Sequence, residues 1–207
     1  MTSPPATPAT RPHRGPQLAL LASAVVFAAT GLFDLATHPS TQHGLRTYKE
    51  YVFTALLIPF ALAALWALTD LNTLQRGRGG RLARVGLRIA TVGLLAFIVD
   101  AIVTLASAST DTAGPLYPLA MLISLIGIVL LAAASIRASV LPRWAGPAIA
   151  IAWVIGGPVG EGGILRGTAL ILAAVFGSVA VALPDASTRS GTDPSDARAR
   201  RQDAAAA

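Results

Sequence analysis

The sequence predicts an all-α membrane protein, a polytopic bundle of about six transmembrane helices. The 207-residue chain is 54% hydrophobic and only 13% charged, which is more apolar than a water-soluble domain requires. Its apolar residues form runs of about 20, the length that crosses a hydrocarbon core of about 30 Å. Its basic residues lie between and beyond these runs, which is typical of topogenic charge.

Polar tails flank the apolar region. Residues 1–16 are rich in Pro and Thr and show no apolar period, and residues 184–207 are equally polar. Such segments cannot bury enough apolar surface to offset the entropy of folding. We therefore expect two disordered cytoplasmic tails on either side of a transmembrane domain at residues 17–183.

The apolar runs define the predicted spans. They cover residues 17–36, 51–71, 85–108, 116–136, 144–159 and 165–183. The first run is too long for the apolar region of a signal peptide, and no small-residue cleavage site follows it. The fifth run is short and contains Pro147 and Pro158, which favours a kinked, tilted or only partly spanning helix.

The distribution of Lys and Arg predicts the orientation. With the N-terminus inside, 13 basic residues lie on the cytoplasmic side and 3 on the other, namely Arg46, Lys49 and Arg166. The positive-inside rule therefore predicts a cell-membrane protein with both termini in the cytoplasm. It also favours a fifth segment that crosses, because otherwise the C-terminal Arg residues would lie outside.

Small residues spaced four apart predict where helices pack, since lipid provides little hydrophobic force between helices. Three such seams are Ala24-xxx-Ala28, Ala173-xxx-Gly177 and Ala174-xxx-Ser178. We expect them to pack helices against one another inside the bundle. The expected partners are the lipid bilayer, other membrane proteins or a second copy of the chain. Nucleic acid is not expected, because the basic residues do not form one folded face.

A group of ionisable residues near the extracellular side is the candidate functional cluster. Its members are Asp34, Asp100, Glu161, Arg166 and His38. From the helical rise, Asp34 and Asp100 lie at a similar depth. A charge inside the bilayer costs free energy, so each carboxylate should face the bundle interior, be paired or be protonated.

Two interpretations of the carboxylates remain open. The first is an ion pair of Asp34 or Asp100 with Arg166 that fixes the positions of helices. The second is a proton- or cation-handling site built from Asp34, Asp100 and Glu161. Replacing Asp100 with Asn would separate these interpretations, because only the first requires it for folding.

A third interpretation is a metal or haem site. It would use His38, His43 and Asp34, although this spacing matches no established ligand motif. The chain has no Cys, which excludes thiolate ligands and thiol nucleophiles. It also has no Gly-x-Ser-x-Gly or His-Glu-x-x-His motif. We therefore expect no cofactor and no enzymatic activity.

An Arg-rich segment connects the second and third spans. It resembles a phosphate-binding glycine loop only superficially, because it lacks the Gly-Lys-Ser/Thr ending. We expect Asp70, at the inner end of the second span, to pair with Arg84 or Arg88. The density of Arg also favours contact with anionic lipid headgroups.

Four stretches of the sequence carry a resemblance. They are Tyr51-Val-Phe-Thr-Ala-Leu-Leu-Ile-Pro-Phe, Arg76-Gly-Arg-Gly-Gly-Arg-Leu-Ala-Arg-Val-Gly, Gly114-Pro-Leu-Tyr-Pro-Leu-Ala and Leu141-Pro-Arg-Trp-Ala-Gly-Pro. With them the chain resembles small uncharacterised six-helix membrane proteins of actinobacteria over residues 17–183. The resemblance implies a six-helix bundle and brings no function with it.

Three functional hypotheses follow. The first is a non-enzymatic scaffold or interaction bundle that acts through helix contacts with membrane proteins or lipids. The second is a small-solute or proton-coupled transporter that uses Asp34 and Asp100. A membrane-embedded enzyme ranks last, because no set of residues recommends it.

Overall fold

Helices make up almost all of the described structure. The structure, a computed structural model, describes residues 15–39, 44–75, 80–110, 112, 114–139, 141–156 and 166–183. These residues contain α1 (Gly15–Thr37), α2 (Tyr48–Leu74), α3 (Gly80–Ser107), α4 (Leu116–Ala138), α5 (Ala145–Val154) and α6 (Ala169–Ala182). No strand occurs within these ranges. The predicted all-α bundle is confirmed. The predicted tail at 184–207 and residues 1–14 of the tail predicted at 1–16 lie outside the described residues, whereas Gly15 and Pro16 already belong to α1.

Four of the described helices, α1 to α4, are long and apolar enough to cross a membrane. With 27 and 28 residues, α2 and α3 measure about 40 Å at about 1.5 Å per residue. They exceed a hydrocarbon core of about 30 Å and must tilt or extend beyond it. The helices α5 and α6 are also apolar, but they have only 10 and 14 residues.

The helices pack in chain order around a closed ring. Each contacts the helix before and after it, and α6 returns to contact α1. At one end, the tail end, Gln17 Nε2 donates to Leu183 O at 3.0 Å. At the opposite end, the loop end, Leu45 N donates to Ala108 O at 2.9 Å. The described chain therefore starts and finishes at the same end of the bundle.

Aromatic side chains fill the centre of the ring. The Phe27 ring of α1 lies 4.6 Å from Phe60 of α2 and 5.1 Å, edge to face, from Phe176 of α6. Phe60 lies 6.0 Å from Trp153 of α5. All four residues are buried. Each such pair contributes about 0.5–1.5 kcal/mol beyond burial alone, so the rings connect helices on opposite sides of the bundle.

The fifth helix has 10 residues, fewer than the predicted span at 144–159, and this length fits the alternative of a partly spanning helix. Pro147 is only the third residue of α5, in the first turn, where a missing amide donor leaves no helical hydrogen bond unmade. It therefore marks the start of α5 and gives no reason for a kink there. The chain continues as a π-type turn to Gly156, where a Cβ would lie 3.2 Å from Thr168 O at the start of α6. Pro158 lies outside the described residues.

Glycines allow the closest helix contact, that between α3 and α4. A Cβ on Gly86 would lie 2.8 Å from Leu131 N, and a Cβ on Gly93 or Gly127 would collide with the main chain of Ser124 or Ala90, respectively. Two of the predicted small-residue seams, that of Ala24 in α1 and that of Gly177 in α6, face each other, although this contact is looser. A Cβ on Gly177 would lie 3.9 Å from Ala24 Cβ, at ordinary contact distance.

The tight contact at Gly127 and the looser contact at Gly177 predict different effects for two similar substitutions. Gly127→Ala should destabilise the bundle by about 1–3 kcal/mol, because its methyl group meets main-chain atoms that can move only if the helices separate. Gly177→Ala should be neutral or stabilising, because Ala is the better helix former and the space is open. Unfolding in mixed detergent micelles measures both. Equal effects of the two variants would contradict the close approach of α3 and α4.

Candidate functional site

The Asp34 carboxylate binds the main chain at the start of α6. Asp34 lies in the last turn of α1 and is partly buried. Its Oδ2 accepts a hydrogen bond from Gly167 N at 2.6 Å. Gly167 directly precedes Thr168, the N-cap residue of α6. A helix N-terminus carries partial positive charge and free amide donors, so the carboxylate stabilises α6 where it begins.

Local conformation explains why glycine occupies position 167. Its φ is +66°, a left-handed conformation that side chains disfavour. A Cβ there would also lie 2.5 Å from Leu35 Cγ. Asp34 and Leu35 thus contact Gly167 from neighbouring positions of α1, and this contact sets the height at which α6 begins.

Arg166 does not supply the predicted ion pair. Its side chain is exposed, and within the described ranges no carboxylate oxygen lies within 4.0 Å of its guanidinium group. The carboxylate of Asp34 is instead bound to the amide of the next residue, Gly167. A partner therefore exists for Asp34 close to where the sequence predicted one, but it is a main-chain group.

His38 leaves the helical face of Asp34. Its amide donates to Asp34 O at 3.0 Å, and its φ is +49°, so it closes the C-terminus of α1 in a left-handed conformation. Its side chain is exposed. Glu161 and His43 lie outside the described residues. Over the described ranges, no three His, Cys, Asp or Glu side chains come together as a metal site would require.

Asp100 is not brought together with Asp34. The helix α1 packs against α2 and α6, whereas α3 packs against α2 and α4. Asp100 lies at the border between the buried face of α3, marked by Phe97 and Ala101, and its outward face, marked by Val99. Its carboxylate makes no hydrogen bond or ion pair with any other described residue.

A second carboxylate at the loop end, Glu50, was missed by the sequence analysis. Glu50 Oε2 accepts hydrogen bonds from Arg46 N at 2.5 Å and Thr47 N at 2.8 Å, before the start of α2. It is 7% exposed. The sequence Thr47-Tyr48-Lys49-Glu50 is a capping box, a pattern that can be recognised without a structure. Asp34 and Glu50 therefore have the same structural role, because the carboxylate of each accepts hydrogen bonds from amides at the start of a helix.

At the tail end the expected pairing of Asp70 is absent. Among the described residues, its carboxylate lies within 4.0 Å of no Arg, and the side chains of Arg84 and Arg88 are exposed. The prediction for Asp70 is wrong because the two Arg residues point away from the bundle. A buried contact occurs nearby, where Gln75 Nε2 donates to Ser135 Oγ and joins α2 to α4.

A cavity of about 10 Å³ lies close to this contact. It is lined by Leu68, Leu71, Ile128, Leu131, Ala132, Ser135, Gly146 and Ile149. This volume is about the minimum that holds one water molecule, and its lining is almost entirely apolar. It is too small for an organic substrate.

Three substitutions distinguish the observed contact from the ion pair. We expect Asp34→Ala to lower the free energy of unfolding by about 1–3 kcal/mol, since Gly167 N would lose a charged acceptor in a partly buried site. Asp34→Asn should lose less, because the amide oxygen still accepts. Arg166→Gln should have no effect. If Arg166→Gln destabilised the protein as much as Asp34→Ala, the ion pair would be the correct interpretation. Detergent unfolding monitored by tryptophan fluorescence measures all three.

Comparison of the chain with protein-family models, with curated protein sequences and with solved structures gives no match. The resemblance to small six-helix membrane proteins of actinobacteria therefore stays a prediction.

Proposed function

We propose that this protein is a non-enzymatic membrane bundle that acts by contact with other membrane components. It would lie in the cell membrane with both termini in the cytoplasm, as the charge distribution predicts. Its partners would be membrane helices, from another protein or a second copy, and the surrounding lipids.

One observation carries this proposal. Of the three seams of small residues, the first two lie where α1 and α6 meet, at Ala24 and Gly177. The third points outward, because Ala174 and Ser178 are exposed on α6. They lie between Ile171 and Val181, which are 39% and 81% exposed. Small residues on an outward helical face let a second helix approach closely in lipid.

The interior of the ring supports the same proposal. Phe27, Phe60, Trp153 and Phe176 are buried and occupy the centre of the ring. Asp34 is engaged with the main chain of α6. A bundle with an aromatic centre suits contact at its surface better than passage through its middle.

Disulfide crosslinking tests the proposal directly. Because the sequence has no Cys, any disulfide must involve the introduced residue. Ser178→Cys should give a crosslinked homodimer or a crosslinked complex with a second membrane protein when oxidised in native membranes. Val92→Cys is the matched control, because Val92 is 58% exposed on the outward face of α3 and lies in no seam. Crosslinking of Ser178→Cys no stronger than that of Val92→Cys would rule out the α6 face as a contact.

A transporter is the second candidate, and Asp100 is the observation that favours it. Asp100 has no hydrogen-bond or ion-pair partner among the described residues, and an intramembrane carboxylate of this kind is typical of proton-handling sites. If the protein is a scaffold, we expect proton flux in proteoliposomes to be no higher than in protein-free liposomes. Flux that exceeds this level, disappears in Asp100→Asn and survives in Asp70→Asn would establish transport in place of scaffolding.

A further inference from the structure

Three Arg side chains form a stripe along the outward face of α3 near the tail end. Arg81, Arg84 and Arg88 are all exposed, whereas the alternate face of the same turns, at Ala83 and Gly86, is buried. At about 100° per residue, the three positions fall within an arc of about 60°. They extend along about 10 Å of helix axis. We call them the arginine stripe.

The arginine stripe has no acidic partner in the described chain. The described acids Asp34, Glu50 and Asp100 lie toward the loop end, and Asp70 forms no ion pair. The C-terminal segment at 184–207 carries four Asp and four Arg, so it offers no net negative charge. Three guanidinium groups on one face, without an acidic partner among the described residues, form a favourable site for an anionic ligand.

The direction of α3 brings these groups to the level of lipid phosphates. Side chains on a helix lean toward its N-terminus, and α3 begins at the tail end. Arg84 and Arg88 therefore reach back out of the hydrocarbon layer toward the headgroups, as long basic side chains do near helix ends. The headgroup layer is about 5–7 Å deep on each side, which the three side chains together can span.

The surface that continues from the stripe is apolar. Val85, Val92 and Leu95 are 46%, 58% and 48% exposed on the same side of α3. A ligand that lies along this face must therefore present negative oxygens at the tail end and hydrocarbon beyond them. An anionic phospholipid has this form, whereas inorganic phosphate or a nucleic acid satisfies only the first requirement.

We propose that the arginine stripe of α3 is a binding site for anionic phospholipid. The phosphate oxygens accept hydrogen bonds from Arg81, Arg84 and Arg88, and the acyl chains lie against Val92 and Leu95. This inference deepens the proposed function, since it names one partner of the bundle, and it does not depend on the contact at Ser178.

Spin-labelled lipids test the site in the full-length protein. The fraction of motionally restricted phosphatidylglycerol, relative to phosphatidylcholine, measures selectivity in reconstituted bilayers. We expect a preference of about fivefold or more for phosphatidylglycerol at low salt, since each basic residue near the surface contributes about a factor of five. About 0.5 M NaCl should weaken it by screening.

A matched pair of variants locates the preference. Arg81→Gln/Arg84→Gln/Arg88→Gln should reduce the ratio to about one, and Arg84→Gln alone should reduce it partway. The control Arg46→Gln/Lys49→Gln/Arg166→Gln removes the same charge at the loop end and should keep the preference. Circular dichroism checks that all variants are folded, and Arg84→Gln serves as the decisive variant if the triple variant is not.

Several outcomes would overturn the site. A wild-type ratio near one would do so, as would a preference that survives in both Arg84→Gln and the triple variant. Equal loss in the control would assign the effect to net charge and not to the stripe. Inorganic phosphate competes for the same guanidinium groups, so it should weaken the preference somewhat more than NaCl of the same ionic strength. Complete loss of the preference at millimolar phosphate would assign the stripe to free phosphate in place of lipid. None of these outcomes alters the crosslinking test at Ser178.

Discussion

The hydrogen bond from Gly167 N to Asp34 Oδ2 is the contact on which this arrangement depends most. Inside a bilayer, an amide at a helix start finds no water, so the protein itself must supply the acceptor. The helix α6 begins about one turn below the end of α1, since a Cβ on Gly31 would lie 2.9 Å from Leu170 N. Its first amides therefore lie beside α1, and Asp34 closes the ring where the last helix meets the first.

The same constraint accounts for the distribution of the other polar groups. Glu50 satisfies amides at the start of α2, and Gln17 satisfies carbonyls at the end of α6. Between the two ends, Ser23 Oγ donates to carbonyls of its own helix and of α2, and the centre is aromatic. Among the described residues, the carboxylates that have hydrogen-bond partners are thus those that satisfy helix ends.

Sequence patterns predicted the helices well and the contacts of side chains poorly. Continuous apolar runs located all six helices, because a span needs a fixed length of apolar sequence. Charge complementarity suggested Arg166 for Asp34 and Arg84 or Arg88 for Asp70, yet the structure uses a main-chain amide for Asp34 and leaves all three Arg side chains exposed. Hydropathy does not show which way a side chain points around its helix, so neither outcome could be predicted. The capping box at Glu50 could have been predicted, because its sequence pattern is recognisable without a structure.

The central claim is that the chain crosses the membrane an even number of times as a closed ring. Labelling of single Cys variants with a membrane-impermeant maleimide on sealed vesicles tests this claim most directly. The variants are Ser3→Cys, Ser187→Cys and Thr112→Cys, in a chain that otherwise lacks Cys. The account predicts that Ser3→Cys and Ser187→Cys react from the same side and Thr112→Cys from the other. Reaction of the two tail positions from opposite sides would contradict the ring.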